Sequence, residues 1–167
     1  MTTGSPEDDE FARLYDREFT VAAHAAFTIV RSSARAEELA QDAFAAAYAR
    51  WSHVQSLDRP GAWVRRVAIN LAIKDRERRA RADRMTVESA WAETVGPDEP
   101  GGPDEVREAV AALPRQQRLA VVLFYFHDLP VAEVADSLGC AEATARVHLH
   151  RARTTLERAI EGRGGRE

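Results

Sequence analysis

Basic side chains, the groups that bind phosphate, are concentrated in two segments of this 167-residue chain. Residues 63–84 carry eight Lys and Arg against three acids, and residues 143–158 carry four Arg against one acid. The net charge of −4 would argue against a nucleic-acid binder only if charge were spread evenly. A local basic stripe attracts a polyanion whatever the total charge is. Both segments are therefore candidate nucleic-acid surfaces.

The first basic segment also holds groups suited to single-stranded DNA. Splayed-out bases need stacking surfaces and polar groups that read base edges. Asn70 can pair with a base edge, and counterion release favours phosphate contacts from Lys74, Arg76 and Arg78. Trp63 could offer a stacking surface, but we expect core packing to be its larger role. Three further arginines are consistent with no more than a solvated helix end: Arg79, Arg81 and Arg84.

The second basic segment lies in a helix-turn-helix pattern. Residues 131–138 predict a short amphipathic helix, Gly139 and Cys140 a tight turn, and residues 141–160 a longer helix. The longer helix has a polar face that consists of Thr144, Arg146, His148, Arg151 and Arg153. Its arginines could reach guanine edges or phosphates in a major groove while the shorter helix braces it. The alternative is a plain helical hairpin with a solvated charged face.

These segments must be positioned by helices, because apolar residues recur at helical spacing and strand-forming runs are scarce. The first half predicts helices at about residues 8–31, 34–51 and 60–84, with a polar loop at 52–58. Ser33 can cap the second of these helices, and Pro60 suits the first turn of the third.

The second half predicts four helices, at about residues 104–112, 114–126, 130–138 and 141–160. We expect Asp104 to cap the first of these and Gly139 to end the third. Residues 85–103, rich in proline, glycine and acids, predict a flexible acidic linker. The expected fold is all-α, with a three-helix bundle at 8–84 and a helix-turn-helix domain at 104–161.

Several function classes lack their signatures in this sequence. The single cysteine, Cys140, can form neither an internal disulfide nor a paired-cysteine metal site, and a small residue at the turn is its simplest interpretation. His148 and His150 point in different directions on a helix and are poor metal ligands. Glycine-rich phosphate loops and nucleophile motifs are absent. With a polar, acidic N-terminus and no long apolar stretch, we expect a cytoplasmic binding protein without cofactor, metal or membrane segment.

Residues 113–157 resemble region 4 of the extracytoplasmic-function (ECF) sigma factors, the small members of the sigma-70 family. The matching marks are Leu113-Pro114, Gln117-Arg118, Asp128-Leu129, Leu138-Gly139 and the run LHRAR at 149–153. The resemblance implies recognition of the −35 promoter element and contact with the flap of the polymerase β subunit. The family usually has serine where Ala141 stands and often glycine where Ala143 stands. Loss of the serine cap weakens the helix start by about 1 kcal/mol, and the −35 sequence read is expected to differ.

Residues 36–51 resemble region 2.2 of the family, which implies binding to the clamp helices of the polymerase β′ subunit. Carried over by position, the contacts are Leu39, Gln41, Asp42 and Phe44. Leu39 and Phe44 are equally well explained as core, since residues five apart cannot both lie centrally on one helix face. Gln41 and Asp42 are the better surface candidates.

Residues 60–79 resemble regions 2.3 and 2.4, which implies that this helix opens the −10 element and reads its non-template strand. The loop at 56–59 would help to hold a flipped-out base. The implied −10 contacts are Ser56, Asp58, Arg59, Arg66, Asn70, Lys74, Arg76 and Arg78. By the same resemblance the acidic linker would thread through the polymerase active-site cleft, and the alternative is a simple tether.

The sequence thus predicts an ECF sigma factor, which works with core RNA polymerase and promoter DNA and has no chemistry of its own. Many members of that family are held by an anti-sigma factor, so a partner of this kind is a further expectation. The rival interpretation is a stand-alone helix-turn-helix regulator with an N-terminal dimerisation or sensing bundle. It predicts a palindromic site and a dimer, and it leaves the basic stripe at 63–84 unexplained.

Overall fold

A computed structural model of the chain describes residues 4–83 and 104–164. Within these ranges the secondary structure is entirely helical, which confirms the expected all-α fold. The helices form two compact units. The first unit contains α1 (Pro6–Val30), α2 (Ser33–Ala49), α3 (Trp51–Val54) and α4 (Pro60–Asp83). The second contains α5 (Asp104–Ala111), α6 (Arg115–Val121), a π-helical turn (Val122–Phe126), α7 (Val131–Leu138) and α8 (Glu142–Gly164). The predicted linker at 85–103 lies outside the described residues.

Helix α1 begins with a capping box. Ser5 Oγ accepts a hydrogen bond from the Glu7 amide at 3.2 Å, and the Asp8 carboxylate accepts one from the Ser5 amide at 3.3 Å. These contacts satisfy backbone donors that the first helical turn leaves unpaired. The helix ends where Arg31 adopts a left-handed conformation with φ 58°.

Two predictions for the first unit were wrong in detail. The cap of α2 is Ser32, whose Oγ accepts from the Arg35 amide at 3.3 Å, and Ser33 is the first helical residue. The predicted loop at 52–58 begins with the one-turn helix α3. That turn forms because Val54 is fully buried in the core of the unit, which fixes the backbone around it.

The core of the first unit consists of small residues between helices and aromatic residues at one end. Alanines on α1, α2 and α4 are fully buried and allow these helices to pack closely: Ala22, Ala26, Ala40, Ala43, Ala47 and Ala68. Phe11 packs edge-on against Trp51 with ring centroids 5.3 Å apart, and Tyr15 lies 4.8 Å from the Phe44 ring. Helix α4 is thereby supported along its length by α1 and α2.

In the second unit, residues 114–126 were predicted as one helix but form α6 followed by the π-helical turn. The His127 amide donates to the Val122 carbonyl five residues back, at 3.2 Å. Asp128 then adopts a left-handed conformation with φ 52° before α7 begins. Such turns accommodate one extra residue in a helix, which here directs the chain into the helix-turn-helix.

The turn between α7 and α8 was predicted correctly. Gly139 ends α7 with φ 68°, a conformation that favours glycine because it has no Cβ. The Cys140 amide donates to the Ala135 carbonyl at 3.0 Å, which closes the helix end. The helical spacing of Ala145, Leu149, Ala152 and Leu156 also predicts a buried stripe on α8, and the structure buries the first three and half-buries Leu156.

Candidate nucleic-acid interfaces

The outward face of α4 carries a row of exposed polar side chains. Arg66, Asn70 and Lys74 follow one another at four-residue spacing, so they share one side of the helix, and all three are exposed. Trp63 borders this row, is half-buried and packs against the core, as expected from the sequence. The row places one amide and two cations along a helix face of about two turns.

Arg65 does not belong to this surface, although it was counted in the basic stripe. It is fully buried and forms an ion pair with Glu18 of α1, which is also buried. Space for the pair depends on Gly61, because a Cβ there would lie 2.5 Å from Glu18 Oε1. An unpaired charge at this depth would be strongly unfavourable, so Arg65 contributes to packing of α1 on α4.

Arg76 and Arg78 are exposed as predicted, but both are bonded to the protein. Arg76 Nη1 donates to the Ile29 carbonyl near the end of α1 at 2.7 Å. Arg78 Nη2 donates to Asp75 Oδ1 at 2.8 Å. A guanidinium has five N–H donors, so each arginine keeps donors for a phosphate while its position is fixed. The predicted phosphate contacts of Arg76 and Arg78 stay a prediction, and the sequence did not indicate these bonds to the protein.

Asp75 is a buried carboxylate inside the basic segment, and sequence reasoning did not single it out. Arg35 donates to its Oδ1 through Nε at 2.9 Å and Nη2 at 2.6 Å, and Arg79 Nε lies 3.1 Å from Oδ2. Burial by itself would raise the pKa of Asp75, but the hydrogen bond from Arg35 and the charge of Arg79 outweigh it and lower that pKa. The carboxylate is therefore charged at neutral pH. Hydrogen bonds to Asp75 and Glu38 raise the pKa of Arg35 in turn.

The loop before α4 presents the side chains that were predicted to hold a flipped base. Ser56, Asp58 and Arg59 are all exposed. Ser56 Oγ donates to the His53 carbonyl at 2.7 Å, which ties the loop to α3. Because a helix rises about 1.5 Å per residue, this loop and Lys74 lie roughly 20 Å apart along α4. The candidate −10 contacts thus form an extended track.

On α2, the structure separates the four predicted polymerase contacts into two pairs. Gln41 and Asp42 are exposed. Leu39 and Phe44 are buried, with only 3% and 2% of their surface accessible. Phe44 also packs on Phe11 and Tyr15 of α1. The core alternative therefore holds for Leu39 and Phe44, and direct contact by either is not compatible with this arrangement.

The predicted −35 contacts lie on α8. Thr144, Arg146, Arg151 and Arg153 are exposed, whereas His148 is half-buried at the edge of the stripe. Arg146 Nη2 lies 3.4 Å from the Glu142 carboxylate, an exposed pair of little energetic consequence.

Two central residues of the outward face of α8 were missed as site candidates. Val147 is 44% exposed and His150 is exposed. Both lie roughly opposite the buried stripe of Ala145 and Leu149, so they point away from the core. The helical positions of these two residues, opposite that stripe, were the sequence signal that could have identified them. The prediction relied mainly on charged residues and therefore omitted the outward valine.

The described part of the chain contains neither a cluster of metal-ligating side chains nor a helix that could span a membrane. Within residues 4–83 and 104–164 no three His, Cys, Asp or Glu residues are arranged to hold a metal ion. No helix in those ranges combines the length and apolarity needed to cross a membrane. Cys140 is half-buried, and burial raises the pKa of its thiol, which favours the unreactive neutral form.

Comparison with known proteins identifies both units. The family model for sigma-70 region 2 matches residues 14–82, and the model for sigma-70 region 4 matches residues 104–156. The ECF RNA polymerase sigma factor SigL of Mycobacterium tuberculosis is 29% identical over 161 residues, which cover 90% of this chain and 89% of SigL. This chain belongs to the ECF group of the sigma-70 family.

As an ECF sigma factor, the protein acts with RNA polymerase and promoter DNA in transcription initiation, and the stand-alone regulator is not favoured. Solved structures support the fold. The sigma factor RpoE, in complex with the anti-sigma factor NepR from Bartonella quintana, matches with TM-score 0.75 and 21% identity over 91% of this chain and 97% of RpoE. CnrH, in complex with the cytosolic domain of CnrY, matches with TM-score 0.62 and 23% identity over 93% of this chain and 90% of CnrH.

Proposed function

We propose that the first unit of this ECF sigma factor captures the melted −10 element with the outward face of α4. The observation that carries this proposal is the exposed row of Arg66, Asn70 and Lys74 in the unit that matches region 2. The cations would bind phosphates, and Asn70 would read the edge of an unstacked base. The exposed loop at 56–59 would hold a flipped base at the other end of the track.

Promoter opening in this proposal is driven by differential binding. The α4 face binds separated strands better than duplex, so the free energy of strand capture offsets the cost of unpairing. No proton transfer or covalent step is required, and we infer that the chain has no catalytic activity and needs no cofactor. The polymerase supplies the chemistry of RNA synthesis.

The second unit is proposed to read duplex DNA at the −35 element through α8. Buried Ala145, Leu149 and Ala152 fix the helix against its own unit and direct the opposite face outward. That face is wide enough for a major groove, where arginines bond guanine edges or phosphates and apolar groups contact thymine methyls. Residues 8–84 and 104–161 would form the two domains, with 85–103 as the linker.

Contact with the polymerase is proposed at the exposed face of α2, through Gln41 and Asp42 toward the clamp helices of β′, and through the second unit toward the β flap. Both residues lie beside buried Leu39 and Phe44, which hold α2 in place. The sigma factors RpoE and CnrH were solved with NepR and CnrY respectively, and we infer a regulatory partner of the anti-sigma class for this chain. This sigma factor would act in the cytoplasm, where polymerase and promoter DNA meet.

The proposal is tested by run-off transcription with purified core polymerase and a matched pair of variants. We expect promoter-specific transcript only when this protein is added. Asn70→Ala should impair strand opening, followed by permanganate reactivity of −10 thymines, while leaving association with core unchanged. Gln41→Ala should instead weaken association with core and leave strand opening by the bound protein unchanged, because Gln41 lies on α2 rather than α4. Wild-type opening by Asn70→Ala, or loss of core binding by it, would contradict the assignment.

A further inference from the structure

Three arginines converge on the buried carboxylate of Asp75. Only 1% of this side chain is exposed, yet it sits in the most basic helix of the chain. Arg35 reaches it from α2, while Arg78 and Arg79 reach it from the next turn of α4 itself. Arg35 is held in addition by Glu38 at 2.6 Å. The cluster thus joins α2 to α4 and carries one net positive charge, three arginines against two acids.

The two α4 arginines of this cluster remain at the surface. The side chains of Arg78 and Arg79 are 72% and 54% exposed, although one nitrogen of each lies within 3.1 Å of the Asp75 carboxylate. Each guanidinium therefore uses a donor on the inward side and keeps others for solvent. Arg76 anchors the same stretch of α4 to α1 through the Ile29 carbonyl.

Asp75 could affect an incoming phosphate in two opposite ways. Its negative charge screens the arginines and so weakens their attraction for DNA. Its hydrogen bond from Arg78 and its ion pair with Arg79 also restrict these two flexible side chains before DNA arrives, which removes part of the ordering entropy from binding. Because the carboxylate is deeply buried while the guanidiniums are exposed, a phosphate would approach the arginines from the side away from Asp75. The geometry thus favours positioning over screening.

We propose that Arg78 and Arg79 form a preorganised site for one backbone phosphate of promoter DNA, with Asp75 as its positioning residue. Arg35 braces the carboxylate from α2. The site lies a little more than two turns beyond Asn70, in the direction in which α4 would extend along the −10 strand. This inference rests on the proposed DNA-binding role of α4 and assigns a phosphate contact to Arg79, which the sequence left as a solvated helix end.

Substitution of Asp75 by asparagine distinguishes screening from positioning, because the two effects change DNA affinity in opposite directions. Asp75→Asn keeps the shape and removes the charge, so screening alone predicts tighter DNA binding. Positioning predicts that holoenzyme affinity for a fork-junction DNA carrying the −10 element falls about tenfold, the equivalent of one charge-assisted hydrogen bond. The matched control is Glu38→Gln, which removes an exposed acid from the same cluster and should not weaken binding. Tighter binding by Asp75→Asn would overturn the proposal.

Charge-conserving variants decide the question even if Asp75→Asn folds poorly. The double variant Arg78→Lys with Arg79→Lys keeps every charge but loses the planar guanidinium fork. It should weaken fork-junction binding about fivefold, whereas Arg13→Lys, which changes an exposed arginine of α1, should have no effect. If the double variant and the control variant bound the fork-junction DNA equally well, the proposed phosphate site would be overturned. If Asn70→Ala still impairs opening in that case, the proposed function stands and only this inference fails.

Discussion

The two units of this sigma factor hold the helices proposed to contact DNA, α4 and α8, by different means. Among the described residues, the first unit buries the charged side chains Glu18, Arg65 and Asp75, all in contact with or part of α4. In the described part of the second unit the buried polar side chain is Ser137, whose hydroxyl donates to the Glu133 carbonyl within α7. Helix α4 is therefore fixed by ionic contacts to its neighbours in addition to its apolar packing, whereas α8 is fixed by an apolar stripe.

This difference extends to the surface of each helix. On α4, Arg76, Arg78 and Arg79 are bonded to protein groups before any ligand arrives. On α8, by contrast, the contact of an outward arginine within the described residues is one long exposed pair, Arg146 with Glu142. Under the proposed function, α4 binds a flexible single strand with side chains that are already fixed. Helix α8 binds a rigid duplex with side chains that can still adapt. In each case the ordering entropy is limited because one partner is already ordered.

The largest expected effect comes from breaking the buried ion pair of the first unit. Glu18→Ala removes the carboxylate that pairs with the buried Arg65 guanidinium, so we expect a loss of about 3–5 kcal/mol in the unfolding free energy of that unit. Chemical denaturation of the full chain, followed by tryptophan fluorescence, measures it, because Trp51 and Trp63 both lie in the first unit.

The control for this prediction removes both charges at once. Glu18→Leu with Arg65→Met should recover much of the lost stability, since apolar replacements of a buried pair are often well tolerated. If the single variant were as stable as wild type, the ion pair would not be the device that holds α1 against α4. The contrast between the units would then be lost.

A smaller effect is expected from the turn of the second unit. Gly139→Ala places a Cβ in a left-handed conformation with φ 68°, which costs about 1–2 kcal/mol. Hydrogen exchange of α7 and α8 amides in the full chain should speed up, and −35 binding should weaken, while α4 amides are unaffected. Gly162→Ala is the matched control because its Cβ would meet no atom within 4 Å. Equal exchange in both variants would show that the turn does not limit the stability of the unit.

The sequence predicted the features that depend on local patterns. Helical spacing located α1, α2, α4, α7 and α8, and glycine chemistry located the end of α7 at Gly139. The stripe of Ala145, Leu149 and Ala152 followed from the same periodicity. These features could be predicted because their causes lie within a few residues of each other.

What the sequence did not predict depends on distant or finely balanced contacts. Arg65 and Asp75 read as surface charges because their partners, Glu18 and Arg35, lie 47 and 40 positions away. The cap fell on Ser32 rather than Ser33 because two adjacent serines offer the same hydroxyl, and the backbone turn at Arg31 decides between them. The π-helical turn went unnoticed because a single wide turn barely alters the apolar pattern.

The smallest expected effect tests the outward face of α8 through Val147. Its exposed side chain lies centrally on that face and could contact the methyl group of a thymine in the −35 element. Val147→Ala should leave stability nearly unchanged and weaken binding about threefold to a −35 duplex with thymine at the contacted position. Replacing that thymine by uracil removes the methyl and should abolish the difference between the two proteins. If the alanine variant instead loses the same affinity on both duplexes, the valine acts on the helix rather than on the base, and α8 reads this step through its arginines alone.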